Sequence, residues 1–182
     1  METHYQYTFG MKRIVITGAE STGKTTLTQE LANHFTAPYS DEYARKYAAE
    51  INREITTEDI DPIARGQLAI EERAEAQSQN GWVLHDTNLL STQIYSTHYF
   101  NSEISWLKDV LQNRTYAHYF LCMPDIPWVE DPGQRESPEA RDVLHEKFLA
   151  ALQIKNVPYT CISGDRNARL KKAIQTIEAL RI

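Results

Sequence analysis

The run Gly18-Ala-Glu-Ser-Thr-Gly-Lys-Thr25 completes the pattern G-x-x-x-x-G-K-[ST]. Gly18 and Gly23 permit backbone angles that turn successive N–H groups inward, which makes a nest for an anion at the positive end of a helix. A lysine at position 24 reaches the β- and γ-phosphates of a nucleotide, and the hydroxyl of Thr25 is a ligand for Mg²⁺. The expected ATP-contacting set is therefore Gly18, Glu20, Ser21, Thr22, Gly23, Lys24, Thr25 and Thr26. A glycine turn with an exposed lysine is the plainer alternative, but the loop stands where a phosphate loop must stand, between a buried strand and an amphipathic helix.

Carboxylates follow two other strand-like segments. Asp86 comes after Trp82-Val-Leu-His, the pattern of an apolar strand delivering an aspartate to Mg²⁺; it could also cap the next helix. Asp41 and Glu42 follow a weaker strand, and could accept a proton from a substrate hydroxyl or bind a sugar. For either one, a charged first helical turn is an alternative of nearly equal weight. The proline-rich stretch Pro124 to Glu136 carries Arg135, and Arg141 lies on the helix beyond it. Arginines on such a loop suit a lid that neutralises a transferring phosphoryl group, with a solvated surface patch as the equal alternative. Trp128, Tyr95 and Tyr99 could stack a base, although helical aromatics more often fill cores. For His85, His98 and His118 a structural role is favoured.

These residues need a scaffold that presents them at one edge. Lys12 to Thr17 is a short β-branched run suited to a strand buried on both faces, and Lys24 to Phe35 carries Leu27, Leu31 and Phe35 at four-residue spacing, as a helix does. Ala37 to Ser40 reads weakly as strand and Glu42 to Ile51 as helix. Asp61 before Pro62 predicts the N-cap of a long helix through about Gln79. Trp82 to His85, Tyr116 to Met123 and Pro158 to Ser163 read as further strands. Leu89 to Phe100, Glu103 to Leu111, a segment opened by Ser137-Pro138 and a closing stretch with Leu170 and Ile177 read as helices. The alternation implies α/β class: a parallel sheet covered on both faces, with ligands beyond the carboxyl ends of the strands.

The length of 182 residues fits one domain, expected over residues 11–182 with the lid at about 124–141 and an extension at 1–10, Met11 being a possible start. Nineteen Lys and Arg against 25 Asp and Glu give a net charge of −6, which argues against a broad nucleic-acid or anionic-membrane surface. No apolar run approaches the roughly 20 residues that span a bilayer, and residues 1–10 lack the pattern of a secretory signal. A cytoplasmic protein is expected. Cys122 and Cys161 sit in strand-like segments, where a reduced buried thiol is the simplest reading.

Taken in order, Gly18-Ala-Glu-Ser-Thr-Gly-Lys-Thr25, Asp41-Glu-Tyr-Ala-Arg45, Gln67, Asp86-Thr-Asn-Leu-Leu-Ser-Thr-Gln93 and Pro127-Trp-Val-Glu-Asp-Pro-Gly-Gln-Arg135 resemble the ribosylnicotinamide kinase domain of the NadR family. The resemblance implies a P-loop NTPase fold: a three-layer α/β/α sandwich with a five-stranded parallel sheet in the order 2-3-1-4-5 and an arginine-bearing lid. It also implies transfer of phosphate from ATP, with Mg²⁺, to the 5′-hydroxyl of nicotinamide riboside. Carried over, it puts Lys24 and Thr25 at the phosphates and metal, Asp86 with Thr25 on the metal, Glu42 and Asp86 at the reacting centre, and Arg135 and Arg141 in the lid. Asp41, Glu42, Arg45, Gln67 and Trp128 fall on the side of a nucleoside-type substrate.

The chain departs from the family in three places. Asp41 stands where an aromatic residue is usual, Asn88 where a second aspartate is frequent, and the lid has an extra residue around Pro132-Gly133. Larger relatives carry adenylyltransferase and DNA-binding domains for which 182 residues leave no room. A kinase of another nucleoside or small metabolite is the nearest alternative, and an ATP-binding regulatory module the more distant one.

Overall fold

In β1 (Lys12–Thr17), Ile14, Val15 and Ile16 are fully buried because both sheet faces are covered. A computed structural model describes residues 11–128 and 138–180, the side chains of 138 and 139 excepted. After β1 come α1 (Lys24–Phe35), β2 (Tyr39–Ser40), α2 (Tyr43–Ile51), a 3₁₀ turn at Thr57–Asp59, α3 (Ile60–Ala76), β3 (Trp82–Asp86), α4 (Leu89–Phe100) and α5 (Ser105–Asn113). β4 (His118–Cys122), α6 (Pro138–Lys155), β5 (Tyr159–Ile162) and α7 (Arg166–Leu180) complete it. The five strands form one parallel sheet in the order β2-β3-β1-β4-β5.

Alternation along each strand divides the apolar residues between two cores. Val15, Tyr119 and Leu121 face Ala64 of α3, Leu90 of α4, Leu107 of α5 and Leu144, Phe148 and Leu152 of α6. Ile14, Ile16, Phe120 and Cys122 face Leu27 and Leu31 of α1 and Ala173 and Ile177 of α7. Helices on both faces leave the sheet no wet side, and the expected three layers follow. Cys122 and Cys161 are free thiols, and burial pushes Cys122 up to about 12, an inert state. Among the described residues no helix is long and apolar enough to cross a membrane.

Several boundaries differ from the sequence-based expectation. The strand read over Ala37 to Ser40 shrinks to two residues, paired with β3 as Tyr39↔Leu84 and Ser40↔His85. α3 begins at Ile60, before the expected Asp61 cap, because Thr56 and Asp59 close a capping box around the 3₁₀ turn and the chain runs straight on into the helix. Pro62 still lies in the first turn, where its missing N–H costs nothing. Asp61 instead accepts from Arg65 Nε at 2.7 Å and from Trp106 Nε1 at 2.6 Å. α5 starts two residues later than expected, at Ser105, and α3 ends at Ala76. The helix cap after β3 is Asn88, whose Oδ1 accepts from Leu90 N at 3.2 Å, so Asp86 is released from that role.

Phe148 is fully buried and meets the ring of Tyr95 edge-on, with centroids 5.7 Å apart. Phe148→Ala is expected to cost roughly 3–5 kcal/mol in urea unfolding. Val143 on the same helix is 53% exposed, and Val143→Ala is expected to stay within about 0.5 kcal/mol.

Candidate active site

The loop between β1 and α1 takes left-handed backbone at Ser21 (φ 52°) and Gly23 (φ 79°), with Gly18 at φ 136°. Such alternation points consecutive N–H groups into one concavity, and α1 adds its positive end there because Gly23 caps it without any side-chain bond. Gly18 has a second reason to be glycine: a Cβ there would lie 2.8 Å from Cys122 O. Lys24 is buried and its Nζ donates to Ala19 O at 2.8 Å, which keeps the ammonium inside the curve of the loop. Thr22 Oγ1 also donates to Ala19 O, at 2.8 Å, whereas Thr26 is exposed on the first turn of α1.

Parallel pairing sets Ile16 beside Asp86, and Thr87 N donates to Ile16 O at 2.9 Å. The end of β3 therefore lies alongside the start of the loop. Thr25 Oγ1 donates to Asp86 Oδ2 at 2.6 Å. Asp86 Oδ1 is buried and accepts no hydrogen bond within the described protein. Burial first, then the negative charge of Glu42, pushes the Asp86 carboxyl up to about 6, with Lys24 and the Thr25 hydroxyl pulling the other way. A buried carboxylate with one orphaned oxygen, near a second carboxylate and bonded to a hydroxyl whose lone pairs stay free, is a donor set that fits Mg²⁺.

Beside this centre lies an open pocket. Glu20, Glu42 and Gln67 supply polar atoms to its lining, and Tyr95, Tyr99 and Phe100 form apolar walls. Tyr95 and Tyr99 stack nearly parallel, 6° apart in plane, one helical turn from each other on α4. The two tyrosines thus wall the pocket, and Tyr95 packs against the core as well. Gln67 is buried, and its Oε1 accepts from Tyr43 N at 2.9 Å, taking the place of a side-chain cap that α2 lacks.

Other expected residues lie elsewhere. Asp41 is exposed and lines a second groove with Tyr39 and Lys46; Glu42 borders that groove too, but of the two carboxylates Glu42 alone lines the pocket. Arg45 is exposed on α2, close enough to draw the Asp86 carboxyl down slightly. Arg141 is buried: Nη1 donates to Ile126 O at 3.0 Å and Ser21 O at 3.5 Å, Nη2 to Pro124 O at 3.1 Å, and the guanidinium lies 5.7 Å from the ring centre of Trp128. It ties the chain after β4 to the phosphate-type loop. Arg135 and most of the expected lid, residues 129–137, lie outside the described residues.

Sequence reasoning missed Arg169. Buried on α7, it donates through Nη1 to Thr22 O at 2.7 Å, through Nε to Gly164 O at 2.7 Å and through Nη2 to Met123 O at 3.0 Å, and it pairs with Asp125. One guanidinium so joins the ends of β4 and β5 to the loop; an arginine in an amphipathic helix gives no sign of such a task. Glu71, a helical charge equally unmarked by spacing, is fully buried on α3.

Adding a methyl group at Gly18 strains the loop through both φ and the Cys122 carbonyl. Gly18→Ala is expected to weaken binding of a fluorescent ATP analogue roughly 10- to 100-fold while far-ultraviolet circular dichroism stays unchanged.

An AAA domain family model matches residues 13–169. The trifunctional NAD biosynthesis/regulator proteins NadR of Salmonella typhimurium (strain LT2) and Escherichia coli (strain K12) are 24% and 25% identical over 179 residues, covering 94% of this chain. The chain spans 43% of the length of these curated relatives. A NadR protein crystallised in complex with NR superposes with a TM-score of 0.79 at 23% identity, over 93% of this chain and 51% of that one. A deoxyadenosine kinase from M. mycoides with bound dATP gives 0.64 at 13% identity, over 92% and 99%. With the family model running from the first strand to Arg169 of α7, the chain belongs to the AAA domain family.

Proposed function

We propose that this protein is an ATP-dependent kinase of a small nucleoside-type alcohol, with the 5′-hydroxyl of nicotinamide riboside as acceptor. The observation that carries the reading is the hydrogen bond from Thr25 to Asp86, which joins the phosphate loop to a buried carboxylate whose neighbour Thr87 lines an aromatic-walled pocket. The NadR relatives and the NadR structure with NR support nicotinamide riboside, and the deoxyadenosine kinase neighbour supports the wider nucleoside class. Nicotinamide riboside carries a cationic ring, and a pocket with Glu20, Glu42 and two tyrosines suits a cation better than a neutral base does.

Each residue has a task in this chemistry. The inward N–H groups of residues 18–25 bind the triphosphate, and Lys24 neutralises the β- and γ-oxygens as charge spreads over them. Thr25 and Asp86 would hold Mg²⁺, which supplies further charge neutralisation on the phosphates. Glu42 lines the pocket whereas Asp86 is engaged by Thr25, so Glu42 takes the proton from the acceptor hydroxyl as the new O–P bond forms and the bond to ADP breaks. Tyr95 and Tyr99 orient the base, and Gln67 steadies the turn that carries Glu42.

The test is product analysis by mass spectrometry after incubation with Mg·ATP and a nucleoside panel. A monophosphate of nicotinamide riboside is expected; transfer to another panel member would keep the kinase and change its substrate, and undiminished ATP hydrolysis with no transfer would overturn both. Lys24→Ala and Asp86→Ala are each expected to abolish turnover in folded protein. Glu42→Gln should lower kcat roughly 10²- to 10⁴-fold with little change in the KM for ATP.

A further inference from the structure

α3 carries a fully buried carboxylate, Glu71, that no step above uses. Its Oε1 accepts from Leu89 N at 3.2 Å and from Gln67 Nε2 at 3.2 Å. Leu89 is the first residue of α4, three positions beyond Asp86. Gln67 in turn accepts from the N–H of Tyr43, the first residue of α2 and the neighbour of Glu42. The first turns of α2 and α4 thus have N–H donors satisfied from α3: Leu89 N bonds Glu71 Oε1 directly, and Tyr43 N bonds Gln67, whose Nε2 donates to that same carboxylate oxygen.

Oε2 faces the other way. Tyr116 OH donates to it at 3.4 Å and Arg114 Nη2 lies 3.4 Å from it. Beyond stand Glu75 of the same helix, which is paired with Arg13 of β1 and with Arg114, then His85 of β3 and Tyr119 of β4. Burial holds His85 neutral at about 3, and its Nδ1 shares a 2.8 Å bond with Ser40 Oγ. Glu71, Glu75 and His85 offer three ligand atoms within 4.8 Å of one another. Two guanidinium groups already balance the two carboxylates, however, so a metal ion would meet like charge there.

We infer that Glu71 is a positioning residue for phosphoryl transfer, holding the turn that carries Asp86 directly and the turn that carries Glu42 through Gln67, so that one buried anion sets the spacing of the two carboxylates. The inference rests on the kinase reading for its effect on rate but not for its effect on structure. Charge-assisted bonds are roughly twice as strong as neutral ones, so adding a proton to Glu71 weakens its hold on the α4 turn directly and, by weakening the bond from Gln67, its hold on the α2 turn at one remove. Burial pushes this carboxyl up to about 7, with Glu75 acting in the same direction and Arg114, Gln67 and the Leu89 N–H against it. The anion, and with it the tight arrangement, is present above that pH and is lost as pH falls through it.

Two readouts on the full chain test this. In ¹H–¹⁵N spectra the amides of Leu89 and Tyr43 should titrate together with a midpoint near 7, and the neutral isostere Glu71→Gln should abolish the shared titration. In turnover, Glu71→Gln should lower kcat roughly 10- to 100-fold and remove the acid inflection near 7, with the KM for ATP unchanged. Amides that titrate independently, or a Glu71→Gln variant with wild-type kcat and pH profile, would overturn the inference. Should the variant not fold, the wild-type titration decides alone. Joint titration in a protein that phosphorylates no nucleoside would uphold the linkage and remove the kinase reading instead.

Discussion

The parallel ladder between β1 and β3 is the constraint on which the rest depends. Pairing Ile16 with Asp86 puts the exit of one strand beside the exit of the other, and the bond from Thr87 N to Ile16 O carries the pairing one residue past the strand. The phosphate-type loop must then begin within reach of Asp86. From that follow the Thr25 to Asp86 bond, the closeness of Lys24, and the burial that, with the nearby charge of Glu42, holds Asp86 near 6. A slip of one residue in this ladder would turn Asp86 to the other face and dissolve the centre.

Around that ladder, buried charge does the positioning that loops cannot do for themselves. Arg141 and Arg169 reach from α6 and α7 to carbonyls of Ser21 and Thr22, so the back of the loop is held by the same guanidinium groups that collect the chain after β4. On the opposite face Arg13 and Arg114 meet Glu71 and Glu75. Buried ion pairs are weak contributors to stability once desolvation is counted, and an apolar set could do as well. Their value here is direction: a carboxylate that must accept several N–H groups fixes where helices begin.

Much of this was legible in the residues. The loop at 18–25, the buried strands around Ile14, Leu84 and Phe120, and the apolar stripe Leu144, Phe148 and Leu152 stand where periodicity and motif put them, because burial on two faces demands apolar runs and a phosphate nest demands glycine. The failures have local causes. The start of α3 depends on a capping box closed by Asp59, two residues before the more conspicuous Asp61-Pro62. Asp41 and Glu42 are adjacent carboxylates, and only the turn into α2 decides which one meets the pocket. Glu71 and Arg169 read as ordinary helical charges, since long-range partners such as Leu89 N and Thr22 O leave no trace in spacing.

The central claim is that the loop at 18–25 and Asp86 form one site for a metal-bound nucleotide. Anomalous diffraction from crystals grown with Mn²⁺ and a non-hydrolysable ATP analogue tests it most directly. The account predicts a manganese peak on Thr25 Oγ1 beside Asp86, the triphosphate inside the loop, and Lys24 Nζ moved from Ala19 O onto phosphate oxygens. A nucleotide bound away from the loop, or a manganese peak remote from both Thr25 and Asp86, would contradict it.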